Sequence, residues 1–365
     1  MKKIGIITYH FARNYGAVLQ CYALQQYLIN KGYNVEIINY VNKQQRDNND
    51  YYKHGLNFKN MIVNLCFLPF IKVRKMKNNK FENFNNKFLN LSEKVKSIDE
   101  LESLCNNKKY DFIISGSDQV FNPNIEDFDY SFLLPFKMNT KKISYAASTG
   151  NATEKDIDMI KNYLSDFKSI SIRERKDLYK FSKDNRKNIS IVPDPVVLLN
   201  SDEWKKFTTK DEGKKYLLCY FLHKDIMKKE YKIAKQIARE KNLEIKIINV
   251  RYTRLSFKRE TILDVGPIEF VNLIYNSSFV CTDSFHGTLF SLIFNKDFLC
   301  FDSIKNKNDS RRKNLLEEVG AITRLRIVED DKKNRDIDYK EINKNLAKKK
   351  EEADKFLEVL YEKYI

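Results

Sequence analysis

Apolar residues along this chain fall in short runs, each closed by polar or turn-forming residues. Lys3 to Thr8 is the first, rich in Ile, and predicts a buried strand. The turn His10–Gly16 follows, and a helix is predicted from Ala17 to Lys31, stopped by Gly32. Asn34 to Tyr40 is the next strand. This strand–helix–strand unit predicts parallel strands joined by a right-handed crossover. Residues 43 to about 105 break the rhythm: they are rich in Asn, Lys and Tyr and read as helices and loops inserted into the first domain. Strands resume at 110–115, 142–148, 169–172 and 188–194. The last runs into Pro193-Asp194-Pro195, which forces an extended exit.

The second half repeats the alternation: strands at 215–222, 244–250, 278–283 and 297–301, helices at about 228–241, 267–276 and 287–294. A charged amphipathic helix closes the chain from about Tyr339 to Tyr364. The expected fold is α/β and GT-B-like, with two Rossmann-like domains of parallel strands. We divide it into an N-terminal domain 1–200 carrying the 43–105 insert, a C-terminal domain 201–338 and a final helix 339–365. Ligands of such sheets bind at the carboxyl ends of the strands, so a central cleft is the expected site, with acceptor on the first domain and donor on the second.

Composition narrows the function. The chain has 365 residues, 42% hydrophobic and 13% aromatic, enough for two cored domains. Its formal charge of +17 fits an anionic ligand or surface, yet the basic residues are spread throughout. No RRM, zinc-finger or basic-zipper pattern accompanies them, so nucleic acid is not an expected partner. The 6 Cys form no CxxC pair and mostly lie in apolar segments, as reduced core thiols of a cytoplasmic protein do. The apolar run after Lys2-Lys3 is too short for a signal peptide, and no stretch has the length of a transmembrane helix. In "MIVNLCFLPFIKVRKMKNNK" (61–80) an apolar patch joins a basic one, which suits a packed helix end or a peripheral contact with an anionic membrane.

Several strand ends carry candidate chemistry. Only 10 Gly are present, and Gly16, Gly116, Gly150 and Gly287 each follow a predicted strand. None fits a dinucleotide or P-loop fingerprint, and no zinc-protease or nucleophile-elbow motif occurs; no metal or cofactor is expected. In "ISGSDQVFNP", Ser115, Gly116 and Ser117 can offer amides and hydroxyls to an anion or sugar, while Asp118 is a helix cap or a base. In "SISIRERKDL", Arg173 and Arg175 lie two apart on an extended strand end, either as an anion clamp or as surface pairs with Glu174. "CTDSFHGTLF" places His286 between the end of a strand at Cys281 and a helix starting at Gly287. A titratable ring beside a helix N-terminus suits a phosphate and a proton transfer. Asp283 is read as orienting that ring or as a cap. Lys305, Lys307, Arg311 and Arg312 follow on a loop, either completing an anion pocket or solvated.

Taken in order, "IGIITYHFARNYGAVLQCYAL", "DFIISGSDQVFNP", "ISYAASTG", "SIRERK", "VPDPVVLL" and "FVCTDSFHGTLFSLIFNKDFLCF" resemble the polysaccharide pyruvyl transferase family, over roughly 1–40 and 110–325. The resemblance implies a GT-B-like fold. It also implies transfer of pyruvate from phosphoenolpyruvate to a sugar, as a cyclic ketal on a cell-surface glycan or its lipid-linked precursor. His286 and Arg173 match family residues implicated in holding the donor. Some members have an arginine two residues before that histidine; here the position is Ser284, and Arg311 or Lys305 would supply the charge. The expected site is then His286, Asp118 and Asp283 for catalysis; Arg173, His286, Gly287, Thr288, Arg311 and Lys305 for the donor; and Asn14, Tyr15, Gly16, Ser115, Gly116 and Ser117 for the acceptor. The protein is expected in the cytoplasm, peripheral at the inner face of the membrane if its acceptor is lipid-linked. The competing readings are a glycosyltransferase with a nucleotide-sugar donor and a non-catalytic glycan-binding protein of polysaccharide assembly.

Overall fold

The computed structural model describes residues 1–48, 61, 65, 68–181, 189–249, 254–303, 311–328 and 336–361. Two compact units form: 1–198 with 349–365, and 199–348. The sequence reading set the last helix apart; its residues from Lys349 onward pack with the first unit.

The first unit is built on strands β1 (Lys3–Ile7), β2 (Asn34–Ile37), β3 (Phe112–Ser115), β4 (Lys141–Ser144), β5 (Phe167–Ile172) and β6 (Ile189–Ile191). All are parallel, in the order β2-β1-β3-β4-β5-β6. Its helices are α1 (Tyr15–Asn30), α2 (Lys43–Asn48), α3 (Ile71–Phe88), α4 (Ile98–Lys108) and α5 (Glu154–Leu164). Helix α1 is buried on nearly every face, which explains a sequence apolar all round. Asn14 caps it, its Oδ1 accepting from Gly16 N (2.9 Å) and Ala17 N (3.4 Å). Ile7, Ile113, Phe121, Phe132 and Ile172 belong to the core.

The second unit repeats the plan. Its strands are β7 (Tyr216–Phe221), β8 (Glu244–Asn249), β9 (Thr261–Ile262), β10 (Phe279–Thr282), β11 (Phe298–Asp302) and β12 (Leu325–Ile327), all parallel, in the order β12-β11-β10-β7-β8-β9. Helices α6 (Ser201–Lys205), α7 (Met227–Glu240), α8 (Pro267–Asn276), α9 (Phe285–Ile293) and α10 (Arg311–Val319) pack around it, and α11 (Tyr339–Leu357) begins in this unit and runs back into the first. Among the described residues no helix is long and apolar enough to cross a membrane.

Each strand order has one reversal. In the first sheet the chain steps from β1 outward to β2, then returns to β3 on the other side of β1. In the second it runs β7-β8-β9, then returns to β10 on the other side of β7. Loops leaving neighbouring strands in opposite directions open a crevice at their carboxyl ends, where sheets of this kind bind ligands. The crevices are flanked by the segments after Ile7 and Ser115, and after Phe221 and Thr282.

Candidate functional site

The second unit's crevice holds a histidine–aspartate pair. Asp283, fully buried, accepts from Leu222 N (2.6 Å), His223 N (2.8 Å) and the His223 ring at Nδ1 (2.7 Å). It therefore bridges the ends of β10 and β7 across the switch point. A carboxylate only accepts, so the bond fixes the His223 tautomer with Nδ1 protonated, and the side chain stays 30% exposed. Asp283 was expected to orient His286 or cap a helix; both roles are corrected, because its two oxygens are taken by the β7 turn. His223 escaped the sequence reading. Its signal was one of 4 His standing directly after a predicted strand, in "FLHKD".

Helix α9 begins at Phe285, two residues earlier than expected, and Ser284 is its cap: Oγ accepts from Gly287 N (3.3 Å) while Ser284 N donates to Thr282 Oγ1 (3.0 Å). Position 284 is thus occupied by a residue that shapes the turn. His286 is half-buried in the first turn of α9. Gly287 serves close packing: a Cβ there would stand 2.6 Å from Thr282 Oγ1 and 3.1 Å from the Tyr220 ring. Thr288 is buried, its hydroxyl donating to Ser284 O (2.9 Å). Gly287 is thus engaged in close packing and the Thr288 hydroxyl in helix geometry.

A buried cation stands at the carboxyl end of β11. Arg312 Nη2 meets Asp302 Oδ1 at 2.9 Å, with only 2% of the side chain exposed, at the carboxyl end of β11. Arg311 is half-buried as the first residue of α10, and Lys305 lies outside the described residues. Glu230 of α7 is fully buried, and neither carboxyl oxygen has a hydrogen-bond partner among the described residues. Burial first, then the Asp283 charge, pushes its pKa up to about 10 against the pull of Arg312. Glu230 is thus a neutral acid at pH 7.

In the first unit the expected residues are largely scaffold. Ser115 Oγ donates to Phe132 O (2.5 Å), and Ser117 Oγ to Ala146 O (2.9 Å); both residues are fully buried. Gly116 has φ +121°, and a Cβ would meet Tyr145 O at 2.4 Å, so only glycine fits. These three build the crevice wall, with both hydroxyls bonded to backbone carbonyls. No helix follows Asp118, so it caps none; half-buried, at φ +71°, it accepts from Gln119 N (3.0 Å). Asn14 is exposed and occupied in capping α1, Gly16 donates to that cap, and Tyr15 turns inward to stack on Phe81 (5.4 Å between centroids).

Arg173, at the end of β5, is buried between Glu174 (Nε–Oε1 2.7 Å) and Asp194 (Nη1–Oδ2 2.7 Å). Burial disfavours its charge, but Glu174, Asp194 and Asp118 overcome that and hold its pKa above the ordinary value. Arg175 starts a 3-10 turn and is exposed, so the two guanidiniums do not share a side as an extended strand would require. Arg173 joins the end of β5 to the Pro-Asp-Pro segment. Five described cysteines, Cys21, Cys105, Cys219, Cys281 and Cys300, are free and buried; Cys66 lies outside the described residues. Among the described residues no three His, Cys, Asp or Glu side chains converge as a metal site would need.

Residues 14–305 match the family described as polysaccharide pyruvyl transferase. Comparison with curated proteins finds no match. Among solved structures, a UDP-GlcNAc 2-epimerase from Methanocaldococcus jannaschii is similar at TM-score 0.52 and 14% identity, over 95% of this chain and 92% of that one. Another UDP-N-acetylglucosamine 2-epimerase is similar at TM-score 0.54 and 12% identity, over 100% of this chain and 97% of that one. At such identities the likeness is one of fold, and that fold is GT-B, two Rossmann-like domains each on a six-stranded parallel sheet.

Proposed function

Since the chain belongs to the polysaccharide pyruvyl transferase family, we propose that it moves the pyruvyl group of phosphoenolpyruvate onto a sugar of a cell-surface polysaccharide, or of its lipid-linked precursor, as a cyclic ketal. The observation that carries this reading is the His223–Asp283 bond across the β7/β10 switch point, with His286 on the same β10–α9 turn.

The reaction needs a proton donor that can become a base. An imidazolium protonates the methylene carbon of the enol ester, leaving an oxocarbenium carbon that bears carboxylate and phosphate. One sugar hydroxyl adds to this carbon and its proton returns to the imidazole. The second hydroxyl then displaces phosphate: the carbon–oxygen bond to phosphate breaks, the ketal ring closes, and the remaining proton leaves with phosphate. His286 and His223 are the two candidates for the imidazole, with Asp283 orienting the latter. Arg311, half-buried at the start of α10, is the cation for a phosphate or carboxylate at this sheet's end. No metal or further cofactor enters the scheme.

A peripheral contact with anionic lipid belongs to the same proposal, on the cytoplasmic side. Met61, Leu65, Leu68 and Met76 are exposed apolar side chains on the segment that also carries Lys72, Arg74, Lys75 and Lys77. The test of function mixes protein, phosphoenolpyruvate and a panel of free and lipid-linked glycans, following phosphate release and the ketal methyl signal by NMR. Acceptor-dependent phosphate release is expected. Its absence with every acceptor, together with thermal stabilisation by nucleotide sugars alone, would replace this reading with a glycosyltransferase.

A further inference from the structure

The inserted segment builds a pocket of about 450 Å³ over the carboxyl ends of β1 and β2, wholly within the first unit. Its volume lies within the range of about 300–1,000 Å³ that small-molecule sites occupy. The walls come from the turn after β1, the residues after β2, and one face of α3.

Its chemistry is unusual for a surface hollow. Five carboxamides line it: Asn39, Gln45, Asn78, Asn85 and Asn86. Each carries donors and an acceptor, the same pairing that a ring hydroxyl presents. Two of them are held firmly. Gln45 is fully buried and accepts from Asn42 N at 3.1 Å. Asn85, only 8% exposed, donates to His10 O at 2.9 Å, and its Oδ1 has no hydrogen-bond partner among the described residues. A buried amide oxygen without a donor is a costly feature unless a ligand meets it. The His10 ring is fixed between Thr8 O (3.2 Å) and Asn39 Oδ1 (3.1 Å), and Phe11 adds an apolar face. Burial pushes the His10 pKa down from its ordinary value.

The pocket is also basic. Arg13, Arg46 and Lys94 line it against one carboxylate, Glu82, which Arg13 already engages at 2.7 Å. We infer that this pocket binds one residue of the glycan acceptor: a pyranose whose hydroxyls meet the carboxamides and whose anionic substituent, a carboxylate or a glycosidic phosphate, meets Arg46 and Lys94. The inference rests on a glycan being the acceptor, and it moves the acceptor contacts from the 14–16 and 115–117 segments to the insert.

The test measures binding without phosphoenolpyruvate, so it stands apart from catalysis. Glucuronic acid, N-acetylglucosamine 1-phosphate and glucose are titrated by NMR against the full chain. Both anionic sugars, or whichever carries the right substituent, bind about tenfold tighter than glucose if one added ion pair contributes about 1.4 kcal/mol. Asn85→Ala weakens binding about fivefold to tenfold. Asn78→Ala, at a half-buried position of α3, does the same without touching the core. Paired Arg46→Gln and Lys94→Gln changes abolish the preference for the anionic sugars while glucose binding persists. Absence of binding by all three probes, or binding that Asn78→Ala and Asn85→Ala leave unchanged, overturns the assignment. Loss of pyruvyl transfer with intact sugar binding would count against the reaction and leave the pocket standing.

Discussion

Replacing Glu230 by Gln stabilises the second unit, by an amount that grows with pH. Its carboxyl is fully buried without a hydrogen-bond partner among the described residues, and burial lifts its pKa from 4.5 to about 10. The sign follows from linkage: a group with a raised folded pKa is best tolerated where both states are protonated, below about pH 4.5. Above that the unfolded chain gains by ionising and the folded one does not. Stability falls by about 1.4 kcal/mol per pH unit until the folded group itself ionises. At pH 7 the penalty is 2.5 units above 4.5, or about 3 kcal/mol. Gln fills nearly the same volume and cannot ionise, so the penalty disappears. The chain's single Trp, Trp204, is buried in this unit against Phe290 (4.9 Å), so its fluorescence reports unfolding of the second unit. Urea titrations of wild type and Glu230→Gln from about pH 5 to about pH 8 should diverge with a slope near 1.4 kcal/mol per unit. A stability difference that stays constant across that range would refute the reasoning and show Glu230 to be ionised in the folded state.

Three further outcomes are expected. Arg173→Met strands Glu174 and Asp194 as buried like charges and should destabilise the first unit by about 3–5 kcal/mol, read as a lower urea midpoint; an unchanged midpoint would contradict the buried network. Gly116→Ala should cost about 2 kcal/mol or more, since its Cβ meets a carbonyl at 2.4 Å and its φ is +121°, and circular dichroism melting will show it. His286→Ala and His223→Ala should each leave the Trp204 transition in place while the proton-transferring one lowers phosphate release by about 10²–10⁴-fold; wild-type rates in both would remove imidazole from the mechanism.

Apolar runs were enough to locate most strands within a residue or two, because a buried parallel strand is apolar on both faces and says so locally. Strands β9 (Thr261-Ile262) and β12 (Leu325-Arg326-Ile327) carry no apolar run of their own. The site was legible as places more than as roles. Ser115, Gly116, Ser117, Asp283 and Arg173 do stand at strand ends. Their partners, however, lie far along the chain: Asp283 meets a histidine 60 residues before it, and Arg173 an aspartate 21 residues after it. Such pairings are set by the order of strands in the sheet, which no spacing encodes. The same holds for Ser117, whose hydroxyl looks available in sequence and is spent on Ala146 O. The insert was the least legible part, since its amide-rich helix α3 gains meaning only when placed over the ends of β1 and β2.

The first unit is written in two pieces, 1–198 and 349–365, with the whole second unit between them. In the later piece Asp354 pairs with Lys31 (2.7 Å) and also receives the Tyr27 hydroxyl, and Leu360 O receives Lys2 (2.7 Å). On a ribosome the chain emerges from its N-terminus. The sheet of the first unit is therefore in place long before the segment that finishes its outer face, and the second unit can fold to completion first. A nascent chain stalled before residue 349 would hold α1 with its Tyr27 and Lys31 end uncovered.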